Sequence, residues 1–230
     1  MHEPSSAPSL STLVVIPVYD HEQAIGAVVQ GVRASGLPCL LVDDGSHLAC
    51  AQVLQALAQA HPDQVALLRL DVNQGKGGAM LAGFAEAARR GYSHVLQIDA
   101  DGQHDPGDIP RFQALATQHP HAVICGIPAY DESVPKARLY GRYATHIWVW
   151  INTLSLRIRS DREILVRLFW RDVPVISVPT RVTYPSDGVS HFDVWRDNVR
   201  ISRMHTRLFF GMLRRAPRLL WRRVAGTAAA

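Results

Sequence analysis

The chain has 230 residues, of which 47% are hydrophobic, and this length and composition fit one substantial globular core. No apolar run reaches the roughly 20 residues that a membrane-spanning helix needs, and residues 1–11 lack the plan of a signal peptide. Three cysteines without metal-type spacing indicate reduced thiols in a cytoplasmic protein. The net charge is −8 before Lys136 and +12 from Lys136 onwards. The second half is therefore expected either to meet an anionic partner or to present a solvated basic face.

Strands and helices alternate over the first 126 residues. Short β-branched or apolar runs predict strands, and runs with helical spacing that end near glycine or proline predict helices. The predicted strands are Thr12–Val18, Cys39–Asp44, Val65–Asp71, His94–Asp99 and Ala122–Gly126. The predicted helices are Glu22–Ala34, Ala49–Ala60, Gly78–Gly91 and one that Asp108 caps. This alternation predicts an α/β fold with a mostly parallel sheet flanked by helices.

The pattern changes after Gly126. The predicted elements there are the helices Lys136–Arg159 and Asp161–Trp170, the strand Val173–Pro179 and the helix Arg196–Arg223. In the last helix, arginines border an apolar stripe, and Trp195 and Trp221 lie near its ends. This pattern indicates either a helix at an anionic membrane surface or a helix packed on the domain, with its arginines solvated or paired.

Four predicted strands end in polar or glycine-rich stretches. In an open α/β sheet the ligand crevice lies beyond the carboxyl ends of the strands, so these stretches are expected to converge on one edge. They are Pro17-Val18-Tyr19-Asp20, Asp43-Asp44-Gly45-Ser46, Asn73-Gln74-Gly75-Lys76-Gly77-Gly78 and Asp99-Ala100-Asp101-Gly102-Gln103.

Asp99 and Asp101 are two carboxylates one residue apart, and the amide of Gln103 follows them. Oxygen donors of this kind suit Mg²⁺ or Mn²⁺, and a cation held there would stabilise the negative charge of a departing diphosphate. The alternative interpretation is a solvated acidic turn in which Asp99 caps the next element.

Lys76 is one of two lysines in the chain and lies in a glycine-rich stretch that opens a helix. Backbone N–H groups and the helix N-terminus attract anions there, and the lysine adds a point charge. The stretch is neither a P-loop nor a dinucleotide fingerprint, and the alternative is a flexible glycine turn with an exposed lysine. Tyr19 and Glu22 are candidates for holding a base or ribose, and so is either Asp43 or Asp44.

Taken together, these stretches resemble the family 2 glycosyltransferases, above all the dolichol-phosphate mannosyltransferase or polyprenyl-phosphate glycosyltransferase branch. They read VVIPVYDHEQAI, LLVDDGS, NQGKGGAMLAGFAEA and QIDADGQHDPGDIP, and they run in order from Leu13 to about Arg111. The resemblance implies a GT-A fold, a divalent metal (Mg²⁺ or Mn²⁺) and inverting transfer of a hexose. The donor would be a nucleotide-diphosphate sugar of the GDP-mannose or UDP-glucose type. The acceptor would be lipid-linked, such as polyprenyl phosphate or a glycolipid precursor.

By position, the resemblance also implies roles for individual residues. The nucleotide-sugar site would comprise Pro17, Tyr19, Glu22, Asp43, Asp44, Lys76, Asp99, Ala100 and Asp101. The metal ligands would be Asp101, Gln103 and Asp99, and the catalytic candidates are Asp101, Lys76 and Glu163. Ser190 and His191 lie in SDGVSHF, which resembles a late loop of the family, and are candidates for the acceptor side. Glu163 and His191 are also the candidates for a general base, which only a hydroxyl acceptor would require.

The sequence departs from the family pattern in two places. Asp20 stands where the family usually has asparagine. Arg159-Ser160 passes directly into Asp161, where the family usually carries a segment with an aspartate and a Gly-Phe-Arg motif. We expect a gap in the chain between Arg157 and Glu163, left by a mobile acceptor loop, and a true deletion is the alternative.

The predicted organisation is a flexible N-terminus (1–11), a glycosyltransferase domain (12–192), basic amphipathic helices (193–225) and a tail (226–230). Within the domain, residues 12–126 form the nucleotide-sugar half and 127–192 the acceptor half. We expect a cytoplasmic protein that is peripheral on the inner face of the cytoplasmic membrane. The alternative functions are a nucleotidyltransferase and a nucleotide-binding relic without turnover. No motif supports nucleic-acid binding.

Overall fold

The structure is a computed structural model, and it describes residues 10–129, 147–153, 163–181 and 194–227. These residues group into two compact units. Unit 1 comprises the described residues up to Thr117, and unit 2 comprises those from Gln118 onwards. The predicted division of the chain into domains stays a prediction.

Unit 1 is built on a parallel sheet whose four strands lie in the order β3-β2-β1-β4. The strands are β1 (Thr12–Val18), β2 (Cys39–Asp43), β3 (Val65–Arg69) and β4 (His94–Gln97). The helices are α1 (Ile25–Ala34), α2 (Leu48–Ala60), α3 (Gly75–Arg89) and α4 (Ile109–Gln118), and a short 3₁₀ turn, Pro106–Asp108, precedes α4. The predicted class, α/β with a parallel sheet flanked by helices, is confirmed.

The central strand β1 is apolar on both faces because helices cover both sides of the sheet. Its residues Val14 and Ile16 belong to a core cluster with α1 and α2, whereas Val15 belongs to a second cluster with α3. The approach of α3 is close, since a Cβ at Gly83 would lie 2.5 Å from Cγ1 of Val15. Burial on both faces fixes the register of the strands, and with it the position at which each strand ends.

Unit 2 contains a separate pair of parallel strands, β5 (Val123–Ala129) and β6 (Val175–Arg181). Its helices are α5 (Glu163–Phe169), α6 (Val194–Leu213) and α7 (Ala216–Thr227), and residues 147–153 are also helical. The predicted gap between Arg157 and Glu163 and most of the predicted helix Lys136–Arg159 lie outside the described residues.

The stretch Arg196–Arg223, predicted to be helical, forms two helices. Helix α6 ends at Leu213, and α7 begins at Ala216. Pro217 explains the break, since a proline ring collides with the carbonyl four residues earlier, here that of Leu213, and has no N–H to donate to it. Three basic residues of the predicted helix's second part therefore lie on an element of their own. These residues are Arg218, Arg222 and Arg223.

The core of unit 2 forms around Trp170. Its indole N–H donates to the carbonyl oxygen of Asn152 at 2.8 Å, and the guanidinium of Arg215 lies 4.8 Å from the ring centre. A Cβ at Gly211 would meet the ring edge at 2.8 Å, so glycine is what allows α6 to approach so closely. The apolar side chains that pack with Trp170 are Val166, Leu208, Met212 and Leu219.

Candidate functional site

An open cleft of about 140 Å³ lies at the carboxyl ends of the strands in unit 1. The residues that line it come from the polar turns that follow the strands and from the start of α3. They are Pro17, Val18, Tyr19, His21, Asp44, Lys76, Ala79, Asp99, Ala100 and Asp101. The structure thus brings together every residue predicted for the nucleotide-sugar site except Glu22 and Asp43.

Asp99 and Lys76 form an ion pair in this cleft. The Lys76 Nζ lies 2.6 Å from Oδ2 of Asp99, and the two side chains are 53% and 20% exposed. The same oxygen lies 3.5 Å from Nε2 of His104, and the amide of Gln97 donates to the other oxygen at 3.1 Å. Burial by itself would raise the pKa of Asp99, but the hydrogen bond from His104 and the charge and hydrogen bond of Lys76 hold that pKa well below its usual value. Asp99 is therefore ionised at neutral pH.

Asp101 is held differently from Asp99. Its Oδ1 accepts a hydrogen bond from the backbone N–H of Gln103 at 3.0 Å, in a turn that Gly102 makes with a φ of +73°. The other carboxylate oxygen has no hydrogen bond or ion pair with any residue that the structure describes. Asp101 thus presents an ionisable oxygen to the cleft while its backbone turn fixes its direction.

These contacts fit a divalent cation only in part. Both oxygens of Asp99 already accept hydrogen bonds from protein groups, whereas Asp101 keeps one oxygen available. Within the described ranges, no group of three histidine, cysteine, aspartate or glutamate side chains is arranged to hold a metal. Mg²⁺ is commonly held by one or two carboxylates together with substrate phosphates. The residues present therefore fit a cation that Asp101 shares with a diphosphate, not one that the protein alone encloses.

The two aspartates after β2 occupy different surroundings. The Asp43 carboxylate is fully buried, where it pairs with Arg69 and accepts a hydrogen bond from the N–H of Ser46 at 2.9 Å. Arg69 also donates to the carbonyl of Ser46 at 3.0 Å, which closes the turn. Asp44 lines the cleft, and its Oδ1 accepts the backbone N–H of Gln74 at 2.7 Å. Of the two alternatives for a base or ribose contact, Asp44 is the one at the cleft.

The glycine-rich stretch begins helix α3 and carries Lys76 in its first turn. Asn73 accepts the N–H of Gly75 at 2.9 Å, and Gly75 has a φ of +75°, which lets the chain turn into the helix. Gly45 packs against this stretch, and a Cβ there would lie 2.8 Å from the backbone nitrogen of Asn73. The turns after β2 and β3 are therefore in direct backbone contact.

Asp20 stands where the resemblance leads one to expect asparagine, and its role is structural. Its φ is +53°, a conformation that asparagine and aspartate tolerate better than most residues. Its Oδ1 accepts the N–H of His47 at 2.8 Å, and its own N–H donates to Oγ of Ser46 at 3.2 Å. Asp20 thereby joins the turn after β1 to the start of α2 and leaves Tyr19, which is 38% exposed, at the cleft.

The remaining predicted residues lie elsewhere. Glu22 is exposed in the turn before α1. Gln103 comes two residues after Asp101 in the chain and does not line the cleft. Glu163 belongs to unit 2, where its Oε1 accepts from Nε of Arg167 at 2.7 Å and lies 3.5 Å from Arg207. Ser190 and His191 lie outside the described residues. The roles proposed for all of these residues stay predictions.

Sequence reasoning missed four residues that support the site. Gln97 and His104 hold the Asp99 carboxylate, His21 lines the cleft, and Arg69 neutralises Asp43. A signal for Gln97 was present, because residues two apart on a strand share a face. Nothing in the local sequence connects Arg69 with Asp43, because the pairing of β2 with β3 brings them together.

Comparison with known proteins gives a consistent picture. The sequence profile of "Glycosyl transferase family 2" matches residues 13–172. A polyprenol monophosphomannose synthase from Mycolicibacterium smegmatis is 38% identical over 106 residues, which cover 45% of this chain and 40% of the relative. An undecaprenyl-phosphate 4-deoxy-4-formamido-L-arabinose transferase from Pseudomonas fluorescens is 37% identical over 109 residues, which cover 45% of this chain and 31% of the relative. The chain thus spans less than half the length of these two relatives.

Among solved structures, S. aureus TarS 1-349 in complex with UDP aligns with a TM-score of 0.42 and 18% identity. The alignment covers 55% of this chain and 38% of the TarS 1-349 chain.

Proposed function

The chain belongs to glycosyl transferase family 2, and on that premise we propose that it transfers a sugar from a nucleotide-diphosphate donor to a lipid-linked phosphate. The observation that carries the proposal is the meeting of Lys76, Asp99 and Asp101 with Tyr19 and Asp44 in one cleft. The names of the two relatives support the acceptor class, since both name a polyprenol-type phosphate although their sugars differ. The donor sugar is a hexose on the GDP-mannose or UDP-glucose pattern.

The base and ribose of the donor lie against Tyr19 and Asp44. The half-exposed ring of Tyr19 offers a stacking surface, and the Asp44 carboxylate accepts hydrogen bonds from ribose hydroxyls or base N–H groups. Pro17 and Ala100 also line the cleft, and their side chains add no polar groups to it.

The diphosphate lies over Lys76 and Asp101. The Lys76 ammonium stabilises the negative charge that grows as the sugar–phosphate bond breaks, and the N-terminus of α3 adds its partial positive charge. Asp101, together with the diphosphate, would hold a Mg²⁺ or Mn²⁺ ion, which would supply further neutralisation of that charge. Asp99 orients Lys76 through the 2.6 Å ion pair, with His104 and Gln97 fixing the carboxylate.

The reaction is a single displacement at the anomeric carbon. An oxygen of the acceptor phosphate forms a bond to that carbon, and the bond to the donor diphosphate breaks on the opposite face. The electron pair leaves with the nucleoside diphosphate, and the configuration inverts. Because the phosphate acceptor is already ionised, no general base is needed. This agrees with Glu163, the predicted base candidate, being paired with Arg167 and Arg207.

A lipid-linked acceptor requires the reaction to take place at a membrane surface. In the part of the chain that the structure describes, no helix has both the length and the apolar composition to cross a bilayer. Because the acceptor is lipid-linked, we propose that the protein acts peripherally at the inner face of the cytoplasmic membrane.

Donor binding and turnover test the proposal together. Thermal unfolding is measured with GDP-mannose and with UDP-glucose, each with and without Mn²⁺, and release of nucleoside diphosphate is measured with polyprenyl phosphate. We expect one donor to raise the Tm by several degrees, since a ligand at a hundred times its Kd stabilises by about 2.7 kcal/mol. Asp101→Asn should lower turnover by about a hundredfold or more, because it removes the charge that faces the cation and the diphosphate.

Asp63→Asn is the matched control. Asp63 is exposed in the turn before β3, so the same change of charge there should leave both measurements as in the wild type. Full turnover by Asp101→Asn would contradict the proposed role of Asp101. Donor binding without release of diphosphate, in the presence of lipid phosphate, would favour a nucleotide-binding protein without turnover.

A further inference from the structure

Helices α6 and α7 leave large apolar side chains in solvent. Phe210 is 61% exposed and Leu213 49% on α6, and Leu220 is 50% exposed and Trp221 72% on α7. Arg203 and Arg214 are also exposed. We call these two arginines and the four apolar side chains the docking surface. We propose that the docking surface binds an anionic lipid bilayer. The inference rests on the proposed function, whose lipid-linked acceptor lies in a membrane.

The exposed apolar residues are additional to those that hold the helices to unit 2. Leu208 and Met212 of α6 and Leu219 of α7 are at most 5% exposed and pack around Trp170. One side of each helix therefore packs in the core of unit 2, and further apolar side chains of both helices remain exposed to solvent. Exposed Trp, Phe and Leu side chains on arginine-rich helices are typical of helices that lie in a membrane interface.

Five of the nine arginines between 194 and 227 fall into two groups. One group holds the fold of unit 2: Arg207 lies 3.5 Å from Glu163, Arg218 lies 2.6 Å from Asp172, and Arg222 also pairs with Asp172. The other group consists of Arg203 and Arg214, which make no ion pair with any residue in the described ranges. Their charges are therefore available to a ligand.

Charge complementarity identifies the occupant. From 194 to 227 the sequence contains nine arginines and no lysine, and its acidic residues are limited to Asp197. Arginines alone would also suit a nucleic acid, but the neighbouring leucine and aromatic side chains gain nothing from phosphate groups. They gain free energy when they enter the boundary between headgroups and acyl chains. An anionic bilayer offers headgroup charges to the arginines of the docking surface and an apolar environment to its leucine and aromatic side chains.

Co-sedimentation of the full chain with vesicles tests the proposal. The vesicles are phosphatidylcholine alone and phosphatidylcholine with phosphatidylglycerol, at low and at high NaCl. We expect the protein to sediment with the anionic vesicles and to be released by salt, because the arginine contribution is screened. The assay needs no sugar donor, so its result is independent of the donor-binding test for the proposed function.

Two variants separate the apolar and charged contributions. Phe210→Ser with Trp221→Ser should lower partitioning into anionic vesicles by about tenfold or more, since both side chains lose apolar burial. Arg203→Gln with Arg214→Gln should lower it by a similar factor of about ten, and chiefly for the anionic vesicles. All four positions are exposed, so far-UV circular dichroism and the Tm should stay at wild-type values.

Matched controls come from unit 1. Leu48→Ser with Leu81→Ser removes apolar side chains that are 73% and 67% exposed, and Arg89→Gln with Arg111→Gln removes two exposed charges. Both controls should sediment as the wild type does. Equal losses in the controls, equal binding to neutral and anionic vesicles, or no sedimentation would overturn the proposal. So would binding to duplex DNA that depends on Arg203 and Arg214 without binding to vesicles.

Discussion

The turns after β2 and β4 each carry two aspartates, yet the two turns use them differently. After β2, Asp43 is fully buried and its charge is neutralised by Arg69, so the carboxylate builds the turn. After β4, Asp99 pairs with Lys76 at the open cleft, where both partners retain contact with solvent. Asp43 and Asp99 therefore differ in role although both follow parallel strands: Asp43 stabilises its turn, whereas Asp99, like Asp44 and Asp101, lies at the cleft. The burial of the pair, not the residue type, distinguishes them.

Breaking the pair of Asp43 with Arg69 should have the largest effect on stability, and Asp43→Asn is the first way to break it. Replacing the buried carboxylate weakens its bond to Arg69 and to the N–H of Ser46, and we expect a loss of about 2–3 kcal/mol in the free energy of unfolding. Arg69→Met should cost at least as much, because it leaves the buried carboxylate without its cation. Urea denaturation measures both losses. Unchanged stability with lost donor affinity would instead make Asp43 a nucleotide-binding residue.

Lys76→Met should have little effect on stability and a larger effect on donor binding. The ion pair is partly exposed, so its loss should change the unfolding free energy by less than about 1 kcal/mol. Affinity for the nucleotide-sugar donor should fall by about tenfold, because a charge-assisted contact to phosphate is lost. Isothermal titration calorimetry measures the affinity.

Arg89→Met serves as the control for Lys76→Met. It removes another partly exposed ion pair, with Glu86, at the far end of the same helix. Donor affinity should then stay at the wild-type value. Equal losses of affinity in the two variants would mean that Lys76 acts through the general charge of α3 and not through contact with the diphosphate.

The pH dependence of Asp99 gives the smallest expected effect. Since the folded-state pKa lies below the unfolded value of about 3.9, its contribution to stability is present above that pH and is lost as the pH falls further. The stability difference between wild type and Asp99→Asn, measured with EDTA, should therefore be constant from neutral pH down to about pH 5 and shrink below about pH 4. A difference that already shrinks between pH 7 and pH 5 would contradict the assigned pKa direction.

Much of unit 1 could be predicted from the sequence because its signals are local. Strand β1 has the predicted bounds Thr12–Val18, and Tyr19, Lys76 and Asp101 lie together at the carboxyl ends of the strands, as the sequence predicts. The choice between Asp43 and Asp44 could not be predicted. It depends on Arg69, which reaches Asp43 only through the register of β2 with β3.

Unit 2 was less predictable because its contacts join distant segments. The pairing of β5 with β6, and that of Asp172 with Arg218, each link residues about fifty positions apart, and no periodicity indicates such pairs. The break between α6 and α7 is an exception, since Pro217 is visible in the sequence and its effect on the preceding turn is local.

The tight contact at Gly45 has a consequence for efforts to redesign the cleft. Its φ of +74° and its 2.8 Å approach to the Asn73 nitrogen leave space for hydrogen alone. A library that randomises the turn after β2 would thus displace the lysine-bearing stretch in nearly every clone. Diversity is better introduced at Tyr19, where the exposed ring can change size without moving the backbone.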